Sequence, residues 1–217
     1  MTMARPCQDG GVNAQTTAGA PTRTYRGVPA DERRRERRAR LVEAALSTVG
    51  DEGLAGLNAE GVCTRAGLTK RYFYESFTDR DALAVSILES LLDEVRTAIG
   101  AALATAGPTA EERITPTVGA LVEVLLREPR RARLYAEAAA VAAVHERREV
   151  AIGEFTDLLV DDVLQAPRDD ARSRLDAHLI VAGTTDVVSR WLRGEVEIAR
   201  EDLVDELARI GIAVARR

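Results

Sequence analysis

The chain has 217 residues, enough for one large domain or for a small domain joined to a larger one, and 46% of them are hydrophobic while 30% are charged. Its formal net charge is -5, and its two cysteines, Cys7 and Cys63, have no Cys or His at ligand spacing, which argues against a disulfide framework or a metal site and fits a reducing cytoplasm. No segment has the apolar length of a signal-peptide core or a membrane span, so a cytoplasmic protein with no membrane partner is expected.

Aromatics are only 4% of the chain, alanine and leucine are abundant, and an all-α fold is expected. The charge is unevenly placed. Residues 1 to 40 hold nine arginines against four acids, whereas residues 84 to 217 hold 17 arginines against 24 acids. An acidic total therefore hides a basic end, which keeps nucleic acid open as a partner.

Residues 1 to 28 are rich in Gly, Ala, Thr, Pro and Gln without apolar periodicity, and are read as a disordered tail. From Asp31 a helix is predicted to near Gly53, its start arginine-rich (RRRERR, 33 to 38) and its second half apolar at 41, 42, 45, 46 and 49. Asn58 is placed as the N-cap of a short helix to about Arg65. Ala66, Gly67 and Leu68 form a turn, and Thr69 opens a second short helix, KRYFY, that holds Lys70, the one lysine of the chain. Thr78 with Asp81 resembles a capping box for a long helix to about Leu103. Further helices are predicted over 110 to 127, 130 to 138 after a break at Pro129, 141 to 164, 171 to 193 and 200 to 215.

Two short helices around a glycine turn have the length and punctuation of a helix-turn-helix unit, whose second helix enters a DNA major groove. Ala45, Gly53, Asn58, Val62, Ala66, Gly67, Leu68, Tyr74, Phe77, Arg80 and Leu83 fall on the signature positions of TetR-family regulators, and the chain resembles that family most densely over about residues 35 to 85. Gly61, Cys63, Tyr72 and Ser76 depart from the common pattern. The resemblance implies a helix-turn-helix DNA-binding domain at 29 to 78 and a larger helical ligand-binding and dimerisation domain at 79 to 217. It implies a homodimer on a pseudo-palindromic operator, most simply a repressor released by a small-molecule effector. A TetR-like activator, a ligand-independent factor, and a helical-bundle enzyme or carrier with a degenerate DNA-binding domain are the rival readings.

Within this frame Thr69, Lys70, Arg71 and Tyr72 are assigned to base edges, where cations donate to guanine and a ring or methyl meets thymine. Asn58, Tyr74 and Arg80 match family positions that hold the phosphate backbone. Phe73 and Phe77 are assigned to the core, and part of the arginine run, with Arg23 and Arg26, to backbone or minor-groove contacts. Tyr135, Phe155 and His178 are the ligand-site candidates, by placement between the long helices. Leu175, Leu179, Ala182 and Gly183 on one late helix, with Leu203, Leu207, Ile210 and Val214 on the last, form the candidate dimer stripes. No cofactor is expected, and no nucleophile elbow, zinc helix or Glu-x-x-His pair points to an enzyme.

Overall fold

The computed structural model describes residues 30 to 167 and 169 to 216, so the predicted tail, with Arg23 and Arg26, lies outside the described residues. Among the described residues every regular element is helical: α1 (Ala30–Glu52), α2 (Ala59–Ala66), α3 (Lys70–Tyr74), α4 (Arg80–Leu103), α5 (Ala110–Arg127), α6 (Pro129–Ala136), α7 (Ala142–Leu158), α8 (Ala171–Leu192) and α9 (Arg200–Ala215).

Local chemistry sets most of these boundaries. Asn58 caps α2 by accepting from Gly61 N–H at 2.8 Å, and α2 stops at Gly67, whose φ of 61° lies in the left-handed region that a side chain disfavours. Asp79, one residue after the expected Thr78, caps α4 by accepting from Ala82 N–H at 2.7 Å. A carboxylate is the better acceptor there, and it adds negative charge at the positive helix end. Thr69 precedes α3 without making a side-chain cap. Thr109 and Glu112 form a full capping box on α5. Pro129 does not break a helix but begins α6 at its first turn, where a missing N–H costs nothing. The predicted helix over 141 to 164 widens into a π-helical turn at Leu159–Leu164, ended by Gln165 at a φ of 51°.

Leu41, Ala45 and Val49 of α1, Val62 and Ala66 of α2, and Phe73 and Phe77 around α3 are all buried, which closes a three-helix core. That core does not end at residue 78. It continues through Leu83, Ile87, Leu88 and Leu91 of α4 into Leu125 of α5, Leu134 of α6 and Val144 of α7. A smaller apolar cluster at the far end joins Ile114, Leu159, Val160, Val163, Ala177 and Ala208.

Besides α4, which runs through both regions, α6 fastens them together. Arg133 donates to the Gly50 carbonyl at 2.8 Å and to Glu137 at 2.7 Å, while Glu137 accepts from the Leu54 N–H at 2.7 Å. Arg130 adds an ion pair to Glu43 at 2.6 Å and a hydrogen bond to Ser47 at 3.3 Å. Gly53, at a φ of 81°, lets the end of α1 press against this joint, since a Cβ there would stand 2.9 Å from a Glu137 carboxylate oxygen.

Candidate nucleic-acid interface and ligand cavity

Helix α3 is too short to bury more than one face, and it spends that face on Phe73, which is fully buried and stacks edge-on against Tyr74 at 5.4 Å. The remaining residues point outward: Thr69, Lys70 and Arg71 are exposed, Tyr74 is 59% exposed, and the Arg71 side chain is 84% exposed. Tyr72 is half-buried beneath the Arg37 guanidinium, which sits 4.5 Å above its ring. In this state the two cations of the helix are neutralised by acids. Lys70 is 3.0 Å from Glu60, a hydrogen bond that raises its pKa, and Arg71 is 3.0 Å from Glu75.

The arginine run divides by contact. Arg33, Arg34 and Arg35 are exposed, whereas the next three arginines brace the unit. Arg37 reaches Tyr72 and Glu75, Arg38 lies 4.1 Å over the Phe77 ring and donates to the Ser76 carbonyl, and Arg40 donates to the Ala66 carbonyl at the turn. Arg80 is likewise engaged, donating to the Leu57 carbonyl at 3.0 Å and so tying the start of α4 to the residue before Asn58. Gly61 has a local reason: a Cβ would stand 3.2 Å from the Asn58 oxygen that caps α2. Cys63 is buried, and burial raises its thiol pKa.

A second feature lies within the larger region. Helices α4, α5, α6, α7, α8 and α9 line a cavity of about 100 Å³ whose walls are overwhelmingly apolar. Its polar atoms come from Thr117, Tyr135, Arg148, Thr184 and Thr185. Tyr135 and Phe155 line it as expected, but His178 does not, because its side chain is exposed and α8 lines the cavity through Ile180, Val181, Thr184 and Thr185 instead. Tyr135 is fully buried, which raises its pKa and keeps it a phenol, and its hydroxyl shares a hydrogen bond with Thr185. Arg148 was not legible as a cavity residue, since nothing in the sequence separates it from the many surface arginines.

The predicted dimer stripes split in two. Leu175 and Leu179 are 60% and 62% exposed, Ile210 is 45% exposed, and Gly183 is exposed with open space where a Cβ would stand. Ala182 and Val214 are half-buried. Leu203 and Leu207 correct the expectation: both are buried in the chain's own core, and Leu207 lines the cavity. Trp191 packs at the end of α8, its indole N–H donating to the Ile198 carbonyl at 2.9 Å. Among the described residues no helix is long and apolar enough to cross a membrane, and no cluster of three or more Cys, His, Asp or Glu could hold a metal ion.

No family model matches the chain. By architecture, it is similar to a TetR-family regulator from Syntrophomonas wolfei, with a TM-score of 0.69 at 14% identity over 84% of this chain and 96% of that one. The chain has the TetR fold. The same fold is shared with the fatty acid degradation regulator FadR from Bacillus halodurans, with a TM-score of 0.65 at 17% identity over 81% and 94% of the two chains. In sequence, the chain is similar to the transcriptional activator FasR of Mycolicibacterium smegmatis, 26% identical over 175 residues that span 79% of this chain and 80% of that protein. Within the TetR fold, residues 58 to 74 occupy the helix-turn-helix and the cavity lies in the helical region that follows.

Proposed function

We propose that the chain is a homodimeric DNA-binding regulator of transcription whose operator affinity is set by a small-molecule effector held in the cavity, and that it is not an enzyme. The observation that carries this reading is the short helix α3, seated on a buried Phe73 and presenting Thr69, Lys70, Arg71 and Tyr74 outward. A helix held from below and cationic above suits a major groove, where Lys and Arg donate to guanine O6 and N7.

Base contact requires Lys70 and Arg71 to exchange Glu60 and Glu75 for base edges. The exchange is cheap, because exposed pairs are worth about 0 to 1 kcal/mol in water. Tyr72 is the side chain of α3 whose ring is held in place, by Arg37, so it offers a fixed apolar edge to a thymine methyl. Asn58 and Tyr74 supply phosphate contacts, Asn58 through the N-terminus it caps.

The dimer proposed here uses the exposed Leu175, Leu179, Gly183 and Ile210, with Ala182 and Val214 at its margin. Two recognition helices would then sit about 34 to 36 Å apart on successive major grooves. An effector that binds better to a conformation with another spacing lowers operator affinity by that difference. The sequence suggests α4 as the transmitting element, and the bonds of α6 add a second route. Tyr135 on α6 lines the cavity, and Arg130, Arg133 and Glu137 beside it grip the end of α1.

A repressor is the simplest form of this device. Activation is the second reading, favoured by the similarity to FasR, which is named an activator. A mobility shift with the DNA upstream of the chain's own gene tests the common part: retardation is expected at low salt, and its absence with every neighbouring fragment would sink the proposal. Transcript levels of adjacent genes in a deletion strain then separate repressor, with levels rising, from activator, with levels falling.

A further inference from the structure

The cavity in this chain is not chemically uniform, and its one cation carries a buried donor without an acceptor. Arg148 lines it, yet its Nε is fully buried with no hydrogen-bond partner among the described residues. Its neighbour Arg147 also has a buried Nη1 without a partner, but that side chain faces the other way, with Glu89 at 3.4 Å and Glu154 at 3.2 Å, and does not line the cavity. A guanidinium keeps its protons, so a buried Nε–H without an acceptor inside an apolar wall is costly until an acceptor reaches it.

Two ion pairs fix where along the cavity this cation sits. Glu89 of α4 pairs with Arg147 of α7, and Arg96 of α4 pairs with Glu154 of α7 at 2.9 Å, so the two helices run parallel. Arg148 therefore lies at the Leu91 end, beside Tyr135 and Thr185, whereas Ile99, Ile114 and Leu159 close the opposite, wholly apolar end. From Arg148 to Leu159 is eleven residues of helical rise, about 16 Å. Over that length the cavity passes from a polar end to an apolar one.

We infer that the ligand of this cavity is an amphipathic carboxylate, its apolar tail directed toward Ile114 and Leu159 and its head group held by Arg148 with the Tyr135 hydroxyl as second donor. The inference rests on the proposed function only in taking the cavity occupant to be the effector. A charge-assisted pair supplies the missing acceptor, and the head would then touch α6, whose next turns hold α1.

The test uses the full-length protein without DNA, titrated calorimetrically below the micelle range with dodecanoate, 1-dodecanol and dodecyltrimethylammonium. Dodecanoate is expected to bind about 10- to 100-fold more tightly than the other two, the range of a hydrogen bond to a charged group. Arg148→Met should abolish that preference while leaving dodecanol binding in place, and should melt no lower than the parent because it removes a buried donor that has no acceptor. Equal binding of dodecanoate and dodecanol, an unchanged preference in Arg148→Met, or no binding of dodecanoate overturns the inference. Operator binding, measured separately, keeps the two readings apart. A protein that shifts its operator but ignores dodecanoate refutes the inference alone, and one that takes up dodecanoate without any operator response refutes the effector role alone.

Discussion

Replacing Glu137 by alanine should loosen the joint between the ligand cavity and the DNA-binding unit. Glu137 accepts the Leu54 N–H at 2.7 Å, and Leu54 is fully buried, so the variant leaves a backbone donor without its partner. Such a loss costs about 1 to 3 kcal/mol. The second bond of Glu137, from Arg133, adds little, because that side chain is 41% exposed and water replaces the carboxylate. In a chain of 217 residues each kcal/mol moves the melting temperature by about 2 to 4 °C, so thermal unfolding followed by circular dichroism should show a fall of about 2 to 12 °C. Glu137→Gln keeps an oxygen for the Leu54 N–H and should melt close to the parent. A Glu137→Ala protein that melts with the parent, or a Glu137→Gln protein that falls as far as Glu137→Ala, would refute the account of this joint.

Arg71→Ala should leave stability unchanged, since its side chain is 84% exposed, while costing about 1 to 3 kcal/mol at one operator position in a panel of single-base variants. Arg80→Ala should weaken all DNA sequences alike, reduce the salt slope by about one, and also lower the melting temperature, because its bond to the Leu57 carbonyl is lost. Leu179→Glu should shift the sedimentation coefficient from dimer to monomer with little effect on the fold, Leu179 being 62% exposed. Glu128, held by Arg130, has its pKa lowered from 4.5 to about 2. A lowered carboxyl pKa stabilises the fold above the unfolded value and is lost on acidification, so stability should decline as pH falls from about 4.5 toward 2. Glu128→Gln should flatten that part of an acid-unfolding profile.

The helices and the helix-turn-helix were legible because their signals are local. Apolar spacing marks α1, Asn58 and Gly67 mark α2, and Phe73 and Phe77 sit where a short helix must seat itself. What escaped was non-local. A stripe at helical spacing says that something covers it, not what, so Leu203 and Leu207 read the same as Leu175 and Leu179 although the first pair turns into the chain's own core. The bonds from Arg133 to Gly50 and from Arg130 to Ser47 each join residues 83 apart, and no pattern along the chain announces them. Arg148 is defined by a partner it lacks, which only packing reveals. The choice between Thr78 and Asp79 as cap turned on one residue, the ordinary uncertainty of helix ends.

Lys70 carries the single ε-amine of the chain, and it lies on α3. Amine-selective chemistry thus has one side-chain target, at the surface proposed to meet DNA. The Glu60 hydrogen bond raises its pKa and keeps the amine protonated, which slows acylation near neutral pH without blocking access, as the side chain is 58% exposed. The extent of acylation at this residue, counted by intact mass, is therefore a ready-made footprint. Operator should suppress it, whereas DNA the protein does not bind should leave it unchanged. Any lysine acetylation of this protein would fall at the same place and remove a positive charge from the proposed recognition helix.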